Sequence, residues 1–211
     1  MDDKPTYPPP QQTNYILARD LARQRLTALD FNRQCERAGI SLAPEGVAIR
    51  LIDRRYFLDR ATLALTAMDS GPEPEIWEQI ILLHYLATAT GAPAAGELIS
   101  YQQIADGAPY YPTFLKRTSG ILLSAFGSRL EALVPAAASL GGHERSDLGD
   151  LAVTLPVLSR IEIVAVAWHG DQEFPPEIRL LFDRHITNYL PTEDITVLCQ
   201  MLCLKMARAK P

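Results

Sequence analysis

The run Ile80-Ile81-Leu82-Leu83-His84-Tyr85-Leu86 is apolar nearly all round a helical wheel. A helix without a polar face has to be wrapped on every side, so this segment constrains the fold more than any other. Pro74 stands near its start, the helix continues through Trp77 to about Thr90, and Gly91 supplies a stop. The run is far short of the ~20 residues that a membrane-spanning helix requires. It is therefore read as the central helix of a globular core, and the rest of the chain has to supply its cover.

Strands are the first source of that cover. Val47 to Ile52, Arg55 to Leu58 and Thr62 to Thr66 are rich in branched and aromatic residues and are separated by charged turns, which predicts a β-meander. Leu98 to Tyr101 is a further short segment in a loop-rich stretch from Gly91 to Pro112, which also holds Tyr110 and Tyr111. Asp150 to Leu155 and Ile161 to Trp168 predict two more strands, the second buried for most of its length. Glu177 to Phe182 fits either a strand or the opening of a helix, and we read it as a strand.

Helices supply the remainder. From Asn14 to about Ala38 the residues Leu17, Leu21, Ala28, Leu29 and Cys35 fall opposite a set of arginines, predicting one amphipathic helix ended by Gly39. Further helices are expected over Pro112 to Phe126 and Arg129 to Ser139. A last one follows Pro191-Thr192-Glu193-Asp194, with Thr192 as cap and acids in the first turn. The fold class is α+β, a mainly antiparallel sheet of about five or six strands packed with four to six helices. Residues 1–12, with four prolines, are read as a flexible tail, and 13–211 as a single α+β domain.

The composition excludes several classes. A net charge of -5 provides no basic field for a phosphate backbone, so no nucleic-acid partner is expected. The acidic, proline-rich start carries no secretory signal pattern, and no membrane association is expected, which predicts a cytoplasmic protein. Cys35, Cys199 and Cys203 lack the paired spacing of a disulfide framework or a metal knuckle and read as reduced thiols. Cys199 and Cys203 share a helix face, but that face is also the apolar stripe, so a buried structural role outweighs a metal site and no metal is expected. Glycine-rich phosphate loops, GxSxG elbows and HExxH helices are missing from the sequence.

Four segments could carry chemistry. The turn His169 to Pro176 sets Asp171 and Glu173 beside an apolar strand. If both faced one pocket they would form an acid/base pair; otherwise Asp171 bonds its own backbone in an ordinary turn. Asp183 and His185 share a face on a strand but not on a helix, as an orienting pair or as a satisfied surface histidine. His84, inside the apolar helix, is either bonded locally or lining a cavity. Tyr85, Tyr101, Tyr110, Tyr111 and Phe114 either wall a pocket for a flat ligand or pack as ordinary core.

The pieces Leu83-His84-Tyr85-Leu86, Gly170-Asp171-Gln172-Glu173-Phe174-Pro175, Leu181-Phe182-Asp183 and Tyr189-Leu190-Pro191-Thr192-Glu193-Asp194 resemble a bacterial domain-of-unknown-function family found mainly in anaerobes. Some members are fused to a four-cysteine iron–sulfur domain of the type seen in corrinoid proteins. The resemblance implies a neighbourhood of anaerobic corrinoid or iron–sulfur metabolism and an iron–sulfur or corrinoid protein as partner. It implies no iron–sulfur centre here, because this chain lacks that cysteine cluster, and no role for any residue. The leading expectation is a small-molecule or cofactor-binding accessory protein, with Tyr85, Tyr101, Tyr110 and Tyr111 as walls and Asp171 and Glu173 as rim. Its rivals are an enzyme using Asp171, Glu173, Asp183 and His185, and a protein-binding scaffold displaying an exposed apolar patch.

Overall fold

The computed structural model describes residues 12–209, so the expected proline-rich tail lies outside the described residues apart from Gln12, which already belongs to the first helix. The N-terminal segment is two helices, α1 (Gln12–Thr27) and α2 (Phe31–Ala38), not one. Asp30 causes the break: its carboxylate accepts from the Arg33 backbone N–H at 3.1 Å and starts a new helix. Gly39, at φ 69°, ends α2 as expected. The buried side of α1 is Ala22 and Leu26, whereas Ile16, Leu17 and Leu21 are exposed. The predicted Leu17/Leu21 stripe is thus the outer one, because small Ala22 allows α1 to approach its neighbour closely.

That neighbour is the central helix, α3 (Ile76–Thr88). Ile81, Leu82, Leu83, Tyr85 and Leu86 are each at most 1% exposed. Its start is fixed by Glu78, whose carboxylate accepts from the Glu75 N–H at 2.8 Å and from the Tyr56 hydroxyl at 2.8 Å. At its other end, Gln34 of α2 donates to the Leu86 carbonyl at 2.8 Å and satisfies one of the acceptors that a helix leaves unpaired at its C-terminus.

The predicted meander is a three-stranded antiparallel sheet of β1 (Gly46–Leu51), β2 (Arg54–Asp59) and β3 (Leu65–Ala67). The second sheet is also antiparallel and comprises β4 (Leu98–Ser100), β5 (His143–Arg145), β6 (Leu151–Leu158), β7 (Ile161–Trp168) and β8 (Glu177–Asp183), in the order β4-β8-β7-β6-β5. The Ile52 N–H donates to Val157 O at 2.8 Å, joining the two sheets. Residues 177–183 are a strand, because they pair with β4 on one side and β7 on the other. Ile178, Leu180 and Phe182 alternate into the core. β7 is buried on both faces: Ile161, Ile163, Ala165 and Ala167 join the main core, while Val164 and Val166 form a small cluster with Ala152.

The remaining helices are α4 (Gly107–Arg117), α5 (Ser119–Phe126), α6 (Leu133–Ser139) and α7 (Thr192–Arg208), with 3-10 turns at Tyr101–Gln103, Leu130–Ala132 and Arg184–Asn188. The architecture is α+β. Tyr110 and Tyr111, expected in a loop, lie inside α4, which starts five residues before Pro112. A Cβ at Gly107 would lie 2.0 Å from the Tyr101 carbonyl oxygen, so only glycine permits that early start. Thr192 is not the cap of α7; Pro191 holds that position, and the Thr192 hydroxyl donates to Ala105 O at 3.1 Å. No single helix among the described residues is long and apolar enough to cross a membrane.

Candidate functional site

The turn ahead of β8 takes the ordinary form. Asp171 Oδ1 accepts from the N–H groups of Phe174 at 2.7 Å and Glu173 at 2.8 Å, and the Asp171 N–H donates to Phe174 O at 2.8 Å. These two donors hold the Asp171 carboxyl below its usual range. Asp171 and Glu173 are both exposed. Asp171 precedes β8 and Asp183 ends it, so the seven-residue strand sets them roughly 20 Å apart. The expected convergence of Asp171, Glu173, Asp183 and His185 into one acid/base site does not occur.

Asp183 and His185 do meet, though not across a strand face. Asp183 is the cap of the 3-10 turn that carries His185. Its carboxylate accepts from the His185 N–H at 2.9 Å, the Ala95 N–H at 2.9 Å, the Gly96 N–H at 2.7 Å and the His185 ring at Nδ1. Partial burial pushes the carboxyl up, but these donors together outweigh it and hold Asp183 at about 2. His185 Nε2 faces the Arg160 carbonyl at 3.3 Å. Both ring nitrogens of His185 are therefore engaged, and the pair braces the loop before β4 against the turn after β8.

The tyrosines separate into two groups. Tyr85 is fully buried, donates to Ala38 O at 2.6 Å and accepts from the Arg160 N–H at 3.0 Å. Its ring packs 5.9 Å from that of Tyr189, which meets the His185 ring edge-on at 5.3 Å. In the second group Tyr101 stacks on Phe114 at 4.1 Å, with Tyr111 and Tyr110 beside them. The Thr196 hydroxyl donates to the Tyr101 oxygen at 2.8 Å, and Arg117 donates to that of half-exposed Tyr110 at 2.7 Å. Tyr85 and Tyr101 are thus both buried in the main core, with different ring partners. The single aromatic wall expected from Tyr85, Tyr101, Tyr110 and Tyr111 with an Asp171/Glu173 rim is not formed. Cys35, Cys199 and Cys203 are buried and unbridged, and burial pushes the Cys35 thiol up to about 11. Among the described residues no cluster of three or more His, Cys, Asp or Glu side chains could hold a metal ion.

One pair has the geometry of a working imidazole. His84 Nδ1 lies 2.6 Å from Asp194 Oδ2, joining α3 to the first turn of α7. The Asp194 side chain is 10% exposed and that of His84 is 23% exposed. His84 Nε2 has no hydrogen-bond partner among the described residues. The N-terminus of α7 is held in place by Thr192 on Ala105, Thr196 on Tyr101, and the Thr88 hydroxyl on Tyr189 O at 2.5 Å. Asp194 was legible only as a helix-start acid, since its partner lies 110 residues earlier in the chain. A polar residue placed within the apolar run Ile80 to Leu86 was the signal that such a partner existed.

A family model for a domain of unknown function (DUF3786) matches residues 30–205. The chain belongs to that family. No match was found among curated proteins or among solved structures. Within this DUF3786 domain the match takes in α2 and most of α7, and so contains both imidazole–carboxylate pairs.

Proposed function

We propose that this DUF3786 domain binds a small molecule against His84 and accepts a proton from it at Nε2. A carboxylate on one ring nitrogen fixes the tautomer and ring orientation and stabilises the imidazolium that forms when the other nitrogen takes a proton. The molecule suited to that nitrogen carries an O–H or N–H group able to reach hydrogen-bond distance of it. The observation carrying this reading is the contrast between the two pairs: His185 has partners at both nitrogens, while half-buried His84 has one nitrogen tied to Asp194 and one unengaged among the described residues.

Carbethoxylation by diethylpyrocarbonate, mapped by peptide mass spectrometry, tests it. His84 is expected to be labelled at least about ten-fold faster than His185, because the reagent needs a ring nitrogen free of a donated or accepted bond. The small-molecule filtrate of an anaerobically grown cell extract, chosen for the corrinoid or iron–sulfur metabolism that the resemblance implies, should slow labelling of His84. Exposed His143 and His169 serve as internal references and should react unchanged. Labelling of His84 as slow as that of His185, or no protection confined to His84, would overturn the reading.

A further inference from the structure

The opposite flank of the end of α3 carries two cationic side chains, Arg37 and Arg160. Arg160 sits on the tight turn between β6 and β7, and its side chain lies over Gly39: a Cβ there would be 2.7 Å from Arg160 Nε. Arg37, two residues earlier on α2, lies over Gly91, where a Cβ would be 3.1 Å from Arg37 Cγ. Arg37 and Gly39 are two peptide units apart, roughly 7 Å at most, and Tyr189, which donates to Ala92 O beside Gly91, also feels the Arg160 charge, so the two side chains border one patch. Neither guanidinium has a carboxylate partner among the described residues. Arg37 donates to the neutral Gln34 Oε1 at 3.0 Å, and the Arg160 guanidinium makes no hydrogen bond among the described residues.

The floor beneath them is rigid. Tyr85 ties Ala38 O to the Arg160 N–H, Tyr189 donates to Ala92 O at 2.6 Å, and His185 Nε2 faces Arg160 O. The positive charge of Arg160 is felt at the phenols of both Tyr85 and Tyr189, where it opposes the upward push of burial. Gly39 and Gly91, at φ 69° and 80°, have no Cβ and so let the Arg160 and Arg37 side chains lie directly against the backbone. We infer that Arg37 and Arg160, over the Gly39/Gly91 floor, form a binding site for a small oxyanion of the phosphoryl class, whose several acceptor oxygens match two planar guanidinium forks. Charge-assisted, forked hydrogen bonds to such an anion are among the strongest available at a surface. The site is argued from different residues than the His84 reading and does not rest on it.

Inorganic phosphate is the probe. It is titrated into the full chain, with the arginine Nε–H resonances followed by NMR and sodium chloride of matching ionic strength as reference. Arg37 and Arg160 signals should shift together along one saturating curve with phosphate and not with chloride. Arg160→Ala should weaken the midpoint about ten-fold, the loss expected when one charged, forked partner is removed. Arg33→Ala, one turn earlier on α2 and exposed, should change it less than about two-fold because the charge there is solvent-screened. Unchanged backbone spectra in both variants establish that the fold is kept. A linear, non-saturating response, a response equal to that with chloride, or equal effects of Arg160→Ala and Arg33→Ala would overturn the inference.

Discussion

Asp183→Asn should lower the unfolding free energy by about 2–4 kcal/mol at pH 7, the loss expected when one side chain that satisfies several donors is made a poor acceptor. The carboxylate accepts from three backbone N–H groups and one imidazole, and an amide in its place turns an NH2 group towards donors. The effect is tied to pH. An ordinary aspartate titrates at 3.8, and the folded carboxyl is held at about 2, so its contribution is complete above that ordinary value. It is lost as pH falls through the window between the two values and is gone below about 2. With discounting for the partly exposed side chain, the charge itself accounts for about 1–2 kcal/mol. Urea unfolding of wild type and variant should therefore converge as pH falls through that window. Equal stability at pH 7 would show that the Asp183 brace does not exist.

Tyr85→Ala should cost more, about 3–5 kcal/mol, the range for deleting a large buried aromatic side chain. The ring lies in the main core against Tyr189, and the hydroxyl bridges α2 to the β6–β7 turn, so two long-range links are lost with it. For a domain of ordinary marginal stability that is a large part of the total. Tyr110→Ala, at a side chain 37% exposed, should cost less than about 1 kcal/mol. Denaturant midpoints for the two variants measure the difference. Similar small losses would return Tyr85 to the ligand-wall role that its burial argues against.

The parts of this fold that were legible in sequence are those whose signal is local. The meander of β1, β2 and β3 and the hairpin of β6 and β7 show in runs of branched residues between charged turns, and α3 shows as an apolar run between Pro74 and Gly91. The break between α1 and α2 was missed because Asp30 reads equally well as a polar position on a continuing helix until its bond to the Arg33 N–H is seen. The start of α4 at Gly107 was missed because the Pro112 ring and the neighbouring glycine outweighed helical periodicity. Asp171 was legible as a turn former, and the turn is what the backbone makes of it. The His84–Asp194 pair was only half legible. Periodicity marks His84 as out of place on its helix, but no spacing rule connects it to a residue beyond the five-stranded sheet.

The same limit applies to Arg37 and Arg160. Each is unremarkable in its own segment, and only the packing of the β6–β7 turn on the end of α2 brings Arg160 to Gly39, two residues from Arg37.

The most direct test of the central claim is the protonation pattern of the His84 ring, read from long-range 1H–15N correlations of the imidazole at alkaline pH. A single tautomer is expected, with the proton on Nδ1 shared with Asp194 and a bare Nε2, and Asp194→Asn should convert this to an averaged mixture. A proton on Nε2, or the same averaged pattern in both proteins, would contradict the claim.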